Sequence, residues 1–117
     1  MTKAKSDRRQ LNKPKLTPFN KVLIEAVNDR LKAILGKPTA TIVLHYLKNI
    51  HSLKMEEIPE NPASFAAGLE NLIGKNAASI IETSIVEELY KKLGLTCPKT
   101  KGYSFAEYMK HAKKEHG

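Results

Sequence analysis

Residues 61–94 read NPASFAAGLENLIGKNAASIIETSIVEELYKKLG, and their punctuation decides the fold class. Asn61-Pro62 opens a segment in which Phe65, Leu69, Leu72 and Ile73 recur at helical spacing, and Gly74 closes it. Asn76 is placed to cap the next segment, with Ala77, Ile81, Ile85, Leu89 and Leu93 on one face and Gly94 behind it. Pro is tolerated at the first helical position, where its missing N–H would have no partner anyway. Gly is favoured just past the last turn, where φ must be positive. Apolar recurrence at i, i+3, i+4 and i+7 describes a helix face and not the alternation of a strand. Two helices are therefore expected here.

The same signals recur upstream. Thr17-Pro18 opens a segment carrying Phe19, Val22, Leu23, Ala26, Val27, Leu31, Ile34 and Leu35, closed by Gly36. Pro38 opens another, with Ala40, Val43, Leu44, Leu47 and Ile50 on one face. Between the pairs, Ser52–Glu60 reads as a loop that pins Leu53, Met55 and Ile58 into the core while its carboxylates face water. Downstream, Ser104-Phe105-Ala106-Glu107 matches a capping box, in which Ser and Glu each satisfy a free backbone donor at a helix start. A short fifth helix follows, with Phe105, Tyr108, Met109 and Ala112 inward and Lys110, Lys113 and Lys114 outward. The expectation is an all-α protein: a four-helix core bundle over residues 17–94 with a short peripheral C-terminal helix. Gly68, inside the third helix, costs about 1 kcal/mol against Ala and predicts a close approach between helices.

Length and charge set the organisation. The 117 residues suit one domain, assigned here to residues 16–117. Residues 16–95 hold 21 Ile plus Leu, enough for a core of ordinary stability. The net charge of +8 is uneven. Residues 1–15 carry Lys3, Lys5, Arg8, Arg9, Lys13 and Lys15 against Asp7, giving +5, and residues 91–117 give another +5. The body, residues 16–90, is −2. The first fifteen residues have almost nothing to bury and read as a basic arm that is disordered in isolation. They also lack the apolar stretch of a signal peptide, and the aliphatic runs fall far short of the roughly 20 residues of a membrane span. A cytoplasmic protein is expected.

The chemistry-bearing residues are sparse. Cys97 is the single cysteine, so neither an internal disulfide nor a multi-cysteine zinc site is available. It has no His near it along the chain to act as a base, and reads as an inert loop thiol. His45 and His51 sit about 240° apart around an ideal helix, and His111 and His116 about 140° apart, so neither pair forms an i,i+4 metal clamp. His45 is expected to be partly buried and the last two solvated. The adjacent carboxylates Glu56-Glu57 and Glu87-Glu88 diverge, and the glycines match no phosphate-binding loop. The expectation is a protein without catalytic residues, cofactor or metal.

Two binding readings remain. A protein-interaction module suits the small, slightly acidic body, with the Met55–Glu60 loop and any exposed seam between helices as contact surfaces. The alternative is a nucleic-acid-associated protein. There the basic arms release counterions from phosphates, and Gly74-Lys75-Asn76 forms the turn of a helix-turn-helix with Lys75, Asn76, Ser79 and Thr83 facing the groove. Glu82, Glu87 and Glu88 on the same helix, and the absence of Arg, weigh against DNA reading.

Residues 36–95 also resemble a known family. The carriers are Ala40-Thr41, Tyr46-Leu47, Met55-Glu56-Glu57-Ile58-Pro59, Pro62, Phe65, Leu69, Leu72, Gly74, Ile81 and the run Glu88-Leu89-Tyr90-Lys91-Lys92-Leu93-Gly94. These are similar to the Nitrosopumilus output domains of archaea. The resemblance covers about half the chain and implies a compact helical domain in archaeal regulatory proteins, with no activity attached. With it, the expected function is a non-catalytic regulatory or adaptor module that binds a protein partner.

Overall fold

The computed structural model describes residues 17–98 and 102–116. The basic arm, residues 1–15, lies outside the described residues. The chain forms α1 (Pro18–Leu35), α2 (Lys37–His51), a 3-10 turn (Met55–Glu60), α3 (Pro62–Ile73), α4 (Lys75–Leu93) and α5 (Phe105–His116). No strand occurs among the described residues. The fold is all-α, as the periodicity predicts.

Two of the joints consist of one residue each. Gly36, at φ 85° and ψ 156°, ends α1 and begins α2. Gly74, at φ 90° and ψ 160°, does the same between α3 and α4. Each glycine donates its N–H back to the closing helix, to Lys32 O and Glu70 O respectively, at 2.9 Å. Each also accepts from the opening one, from Ala40 N at 2.9 Å and Ala78 N at 3.0 Å. A side chain is excluded from this backbone region almost entirely. So tight a joint also corrects one expectation. Helix α4 starts directly after Gly74, which leaves Asn76 inside the first turn and makes no side-chain cap.

Helix α4 is central, packed against α1, α3 and α5, whereas α2 packs chiefly on α1 and α3 at the edge. Three neighbours give α4 a wide buried arc: Ala78, Ile81, Ile85, Val86, Leu89 and Tyr90. The narrow stripe expected from i,i+4 spacing was therefore displaced at its start, where Ala78 is buried and Ala77 exposed. On the edge helix the opposite holds. Ala40, Val43 and Leu47 are buried, but Ile50, expected on the core face, is 64% exposed. The Ser52–Glu60 segment does bury Leu53 and Ile58. Its second half winds into the 3-10 turn, where Lys54 N donates to Glu57 Oε1 at 2.9 Å.

Polar groups tie the helices at their flanks. Arg30 Nε donates to Ser84 Oγ at 2.7 Å between α1 and α4. Lys92 Nζ reaches Asp29 at 3.4 Å, Glu25 at 3.5 Å and Glu88 at 3.7 Å. Among the described residues these are the ion pairs, and all converge on one ammonium. Gly68 is buried where α3 crosses α2, and a Cβ there would collide with Leu47 Cδ2 and lie 3.4 Å from His51 Cδ2. The predicted close approach is present.

Helix α5 opens on the capping box, with Ser104 N donating to Glu107 Oε1 at 2.8 Å and Glu107 N to Ser104 Oγ at 3.1 Å. Phe105 meets Phe65 at a ring-centroid distance of 5.5 Å, and Met109 and Ala112 are buried beside it. Tyr90, 1% exposed, is the polar lock. Its hydroxyl donates to the Tyr108 carbonyl at 3.1 Å. That proton being committed, Nδ1–H of His111 donates to the phenol oxygen at 2.7 Å. His111, expected in solvent, instead stacks on the Tyr90 ring.

Candidate functional site

A concavity of about 460 Å³ lies between the outer flank of α2 and the start of the 3-10 turn. Thr41, Leu44, His45 and Lys48 line it from α2, and Lys54, Met55 and Glu56 from the turn. The residues reach one side because Thr41, Leu44, His45 and Lys48 occupy positions i, i+3, i+4 and i+7 of the helix. The turn is held opposite by burial of Leu53 and Ile58, which sit on either side of Met55 in sequence. Leu44 and Met55 are half-buried and supply an apolar floor, while Lys48, Lys54 and Glu56 stand exposed at the rim. His45, expected to be partly buried, is exposed here. The rim therefore carries two ammonium groups against one carboxylate. Another ridge of α2 presents Ile42 and Ile50, 63% and 64% exposed, with half-buried Tyr46 between them at four-residue steps.

The sequence-predicted nucleic-acid residues divide into two sets. Lys3, Lys5, Arg8, Arg9, Lys13 and Lys15 lie outside the described residues. Lys75, Asn76, Ser79 and Thr83 are exposed along the first half of α4. Ser79 and Thr83 share a cavity of about 120 Å³ with Glu82, Tyr103, Ser104, Phe105 and Tyr108. The start of α5 thus overhangs half the set, on a helix that already has three neighbours.

The remaining chemistry is muted. Cys97 sits in a cleft of about 280 Å³ with Thr83, Val86, Glu87, Pro98 and Tyr108. Burial, and then the Glu87 carboxylate, push its thiol above the ordinary cysteine value, which opposes the thiolate a nucleophile requires. Glu82 has one carboxylate oxygen buried without a hydrogen-bond partner among the described residues. Burial, and then the Glu70 carboxylate, raise its pKa. Among the described residues, no three His, Cys, Asp or Glu side chains are grouped to hold a metal ion. No helix among them is long and apolar enough to cross a membrane.

The α2 groove was legible only as a choice of loop. The acidic Met55–Glu60 segment marked a contact surface, but its pairing with Leu44 and Lys48 depends on how the turn folds back on α2. His111 and Tyr103 gave no sequence signal at all, since their meeting with Tyr90 requires the tertiary placement of α5.

No family model matches the chain, and no curated protein matches it. Among solved structures it is similar to PH0832 from Pyrococcus horikoshii OT3, at 19% sequence identity and a TM-score of 0.69. The alignment covers 85% of this chain and 98% of that one. The likeness is one of fold: this chain and that protein share an all-helical architecture over nearly the whole of the neighbour's length.

Proposed function

We propose that the protein is a non-catalytic regulatory or adaptor module of an archaeal cytoplasm, and that its α2 groove receives an acidic, amphipathic segment of a protein partner. The observation that carries the reading is the groove itself, an apolar floor of Leu44 and Met55 rimmed by Lys48 and Lys54 on an edge helix. An amphipathic helix laid in such a groove places apolar side chains at i, i+3 or i+4 on the floor and its carboxylates against the rim. Rim charges of this kind steer and select partners more than they add affinity. The archaeal source of the fold neighbour and the resemblance to archaeal output domains support the cellular setting. The raised thiol of Cys97, which opposes the thiolate a nucleophile requires, supports a non-catalytic role.

A fluorescein-labelled helical peptide of alternating Leu and Glu faces, titrated into 15N-labelled protein, tests this. The resonances of Thr41, Leu44, Lys48 and Met55 are expected to shift. Replacing Lys48→Glu and Lys54→Glu together is expected to weaken binding at least about tenfold, a change of roughly 1.4 kcal/mol. Shifts confined to other helices, or equal binding of a Lys-substituted peptide, would overturn the groove assignment.

A further inference from the structure

The fold brings the start of α1 and the end of α5 to one pole. Phe19, at the start of α1, has its ring centroid 6.1 Å from that of His116, at the end of α5. A notch of about 250 Å³ joins Phe19 to Lys110 and Lys113, with Pro59, Pro62, Ala106 and Met109 beneath. The arm of residues 1–15, with its charge of +5, joins the body at Thr17, two positions before Phe19. Its covalent anchor is therefore beside the lysines of α5.

We propose that the outer face of α5 is a binding surface for the phosphate backbone of a nucleic acid, formed by Lys110, Lys113 and Lys114 with Tyr103 and His111. Among the described residues the three ammonium groups have no ion-pair partner, every ion pair there belonging to Lys92. Lys110 and Lys114 are four residues apart, a spacing at which like charges repel and which a solvated helix face more comfortably fills with a Glu–Lys pair. Glu107, on the same face, spends Oε1 on the Ser104 N–H, and Glu115 points about 100° further round the helix from Lys114. The carboxylate of Glu60, near the notch, accepts from Asn20.

The face is also concave. A cavity of about 310 Å³ is lined by Tyr103, Glu107, Lys110, His111 and Lys114. Two ammonium groups and a phenol, all able to donate to phosphate oxygens, converge there beside the His111 ring. The half-buried Tyr103 ring packs edge-on to Tyr108 at 5.1 Å, which fixes it as a stacking platform for an unpaired base. This places phosphate contacts on α5 and not on the overhung face of α4. It is independent of the α2 groove, which belongs to other elements.

Fluorescence anisotropy with labelled single-stranded and duplex oligonucleotides, across a salt series, tests the surface. Four proteins are compared: the full chain, the variant Lys110→Gln/Lys113→Gln/Lys114→Gln, Tyr103→Ala, and the chain without residues 1–15. The triple variant is expected to bind at least about tenfold more weakly and to lower the slope of log affinity against log salt by about two to three, one phosphate per lysine. Tyr103→Ala is expected to weaken the single strand more than the duplex. Amide shifts of Tyr103, Lys110 and Lys114 on oligonucleotide titration of the full chain check the same surface without mutation. The proposal fails if the full chain does not bind at low salt, if the triple variant binds as the full chain does while arm deletion abolishes binding, or if anionic phosphatidylglycerol vesicles bind and oligonucleotides do not.

Discussion

Tyr90 Oη on α4 lies 2.7 Å from Nδ1 of His111 on α5. This contact, with the bond from Tyr90 to the Tyr108 carbonyl, makes the C-terminal helix part of the folded body. Tyr90→Phe removes both hydrogen bonds and keeps the ring. It is expected to cost about 1–2 kcal/mol, seen as a fall in melting temperature of about 4–8 °C for each kcal/mol in a domain of roughly this size. An unchanged midpoint would show that α5 is held by Phe105 and Met109 alone.

The same phenol sets an alkaline limit. Burial above all, followed by the neighbouring Cys97, Tyr108, Tyr103 and Glu115, pushes Tyr90 from 10.0 up to about 12. Between those values the unfolded chain has lost a proton that the folded chain still holds, so stability falls as pH rises. Urea unfolding from pH 9 upward is expected to show this loss in the parent and a smaller loss in Tyr90→Phe. Parallel curves for the two proteins would refute it.

Glu82 acts with the same sign, in the carboxylate range. Burial, and then the Glu70 carboxylate, make it easier to protonate than an ordinary glutamate. Stability from this group is present at low pH and is lost as pH rises through its folded value. Glu82→Gln should therefore melt higher than the parent at neutral pH, with the gain shrinking as the solution is acidified into the carboxylate range. A penalty at neutral pH would mean that the buried oxygen has a partner worth more than its charge costs.

At Gly68 two effects oppose. Alanine improves helix propensity by about 1 kcal/mol, but its Cβ would strike the buried Leu47 side chain, and overpacking costs typically about 1–3 kcal/mol. Net destabilisation of about 1 kcal/mol is expected from Gly68→Ala in the parent. With Leu47→Ala also present, the obstacle is gone and Gly68→Ala should become stabilising. A double-mutant cycle measures the reversal as a coupling energy, and additive effects would remove Leu47 as the cause.

The joints separate strain from crowding. A Cβ at Gly36 or Gly74 would meet nothing within 4 Å, so the obstacle to a side chain there is the backbone conformation itself. Gly36→Ala is expected to cost about 1–3 kcal/mol. D-alanine at the same position, introduced by chemical ligation, should be tolerated because its mirror preference suits the positive φ. Equal penalties for both would point to crowding.

The proline and glycine punctuation located the helices because those two residues act through backbone geometry that needs no neighbours. Ser104 and Glu107 were equally readable, since both capping bonds are local. Asn76 misled because a one-residue joint leaves no room for a capping residue. Ala77 and Ile50 misled because periodicity states that a helix has a face but not how many neighbours share it: three for α4, chiefly two for α2. The α2 groove and the basic pole are further from sequence still. Leu44 with Met55, and Phe19 with His116, are neighbours only after folding. Charge counted along the chain separated the two basic ends; the bundle sets the start of α1, which follows the first of them, beside the end of α5.

That proximity also has a topological consequence. With Phe19 and His116 in ring contact, the order in which the helices are synthesised is incidental to how they pack. A chain trimmed to Thr17, closed by a short linker from the end of α5 to the start of α1, and reopened at the Ser52–Lys54 connection would keep every helix and both glycine joints. Such a circular permutant would place the new ends beside the α2 groove, making that surface addressable by genetic fusion.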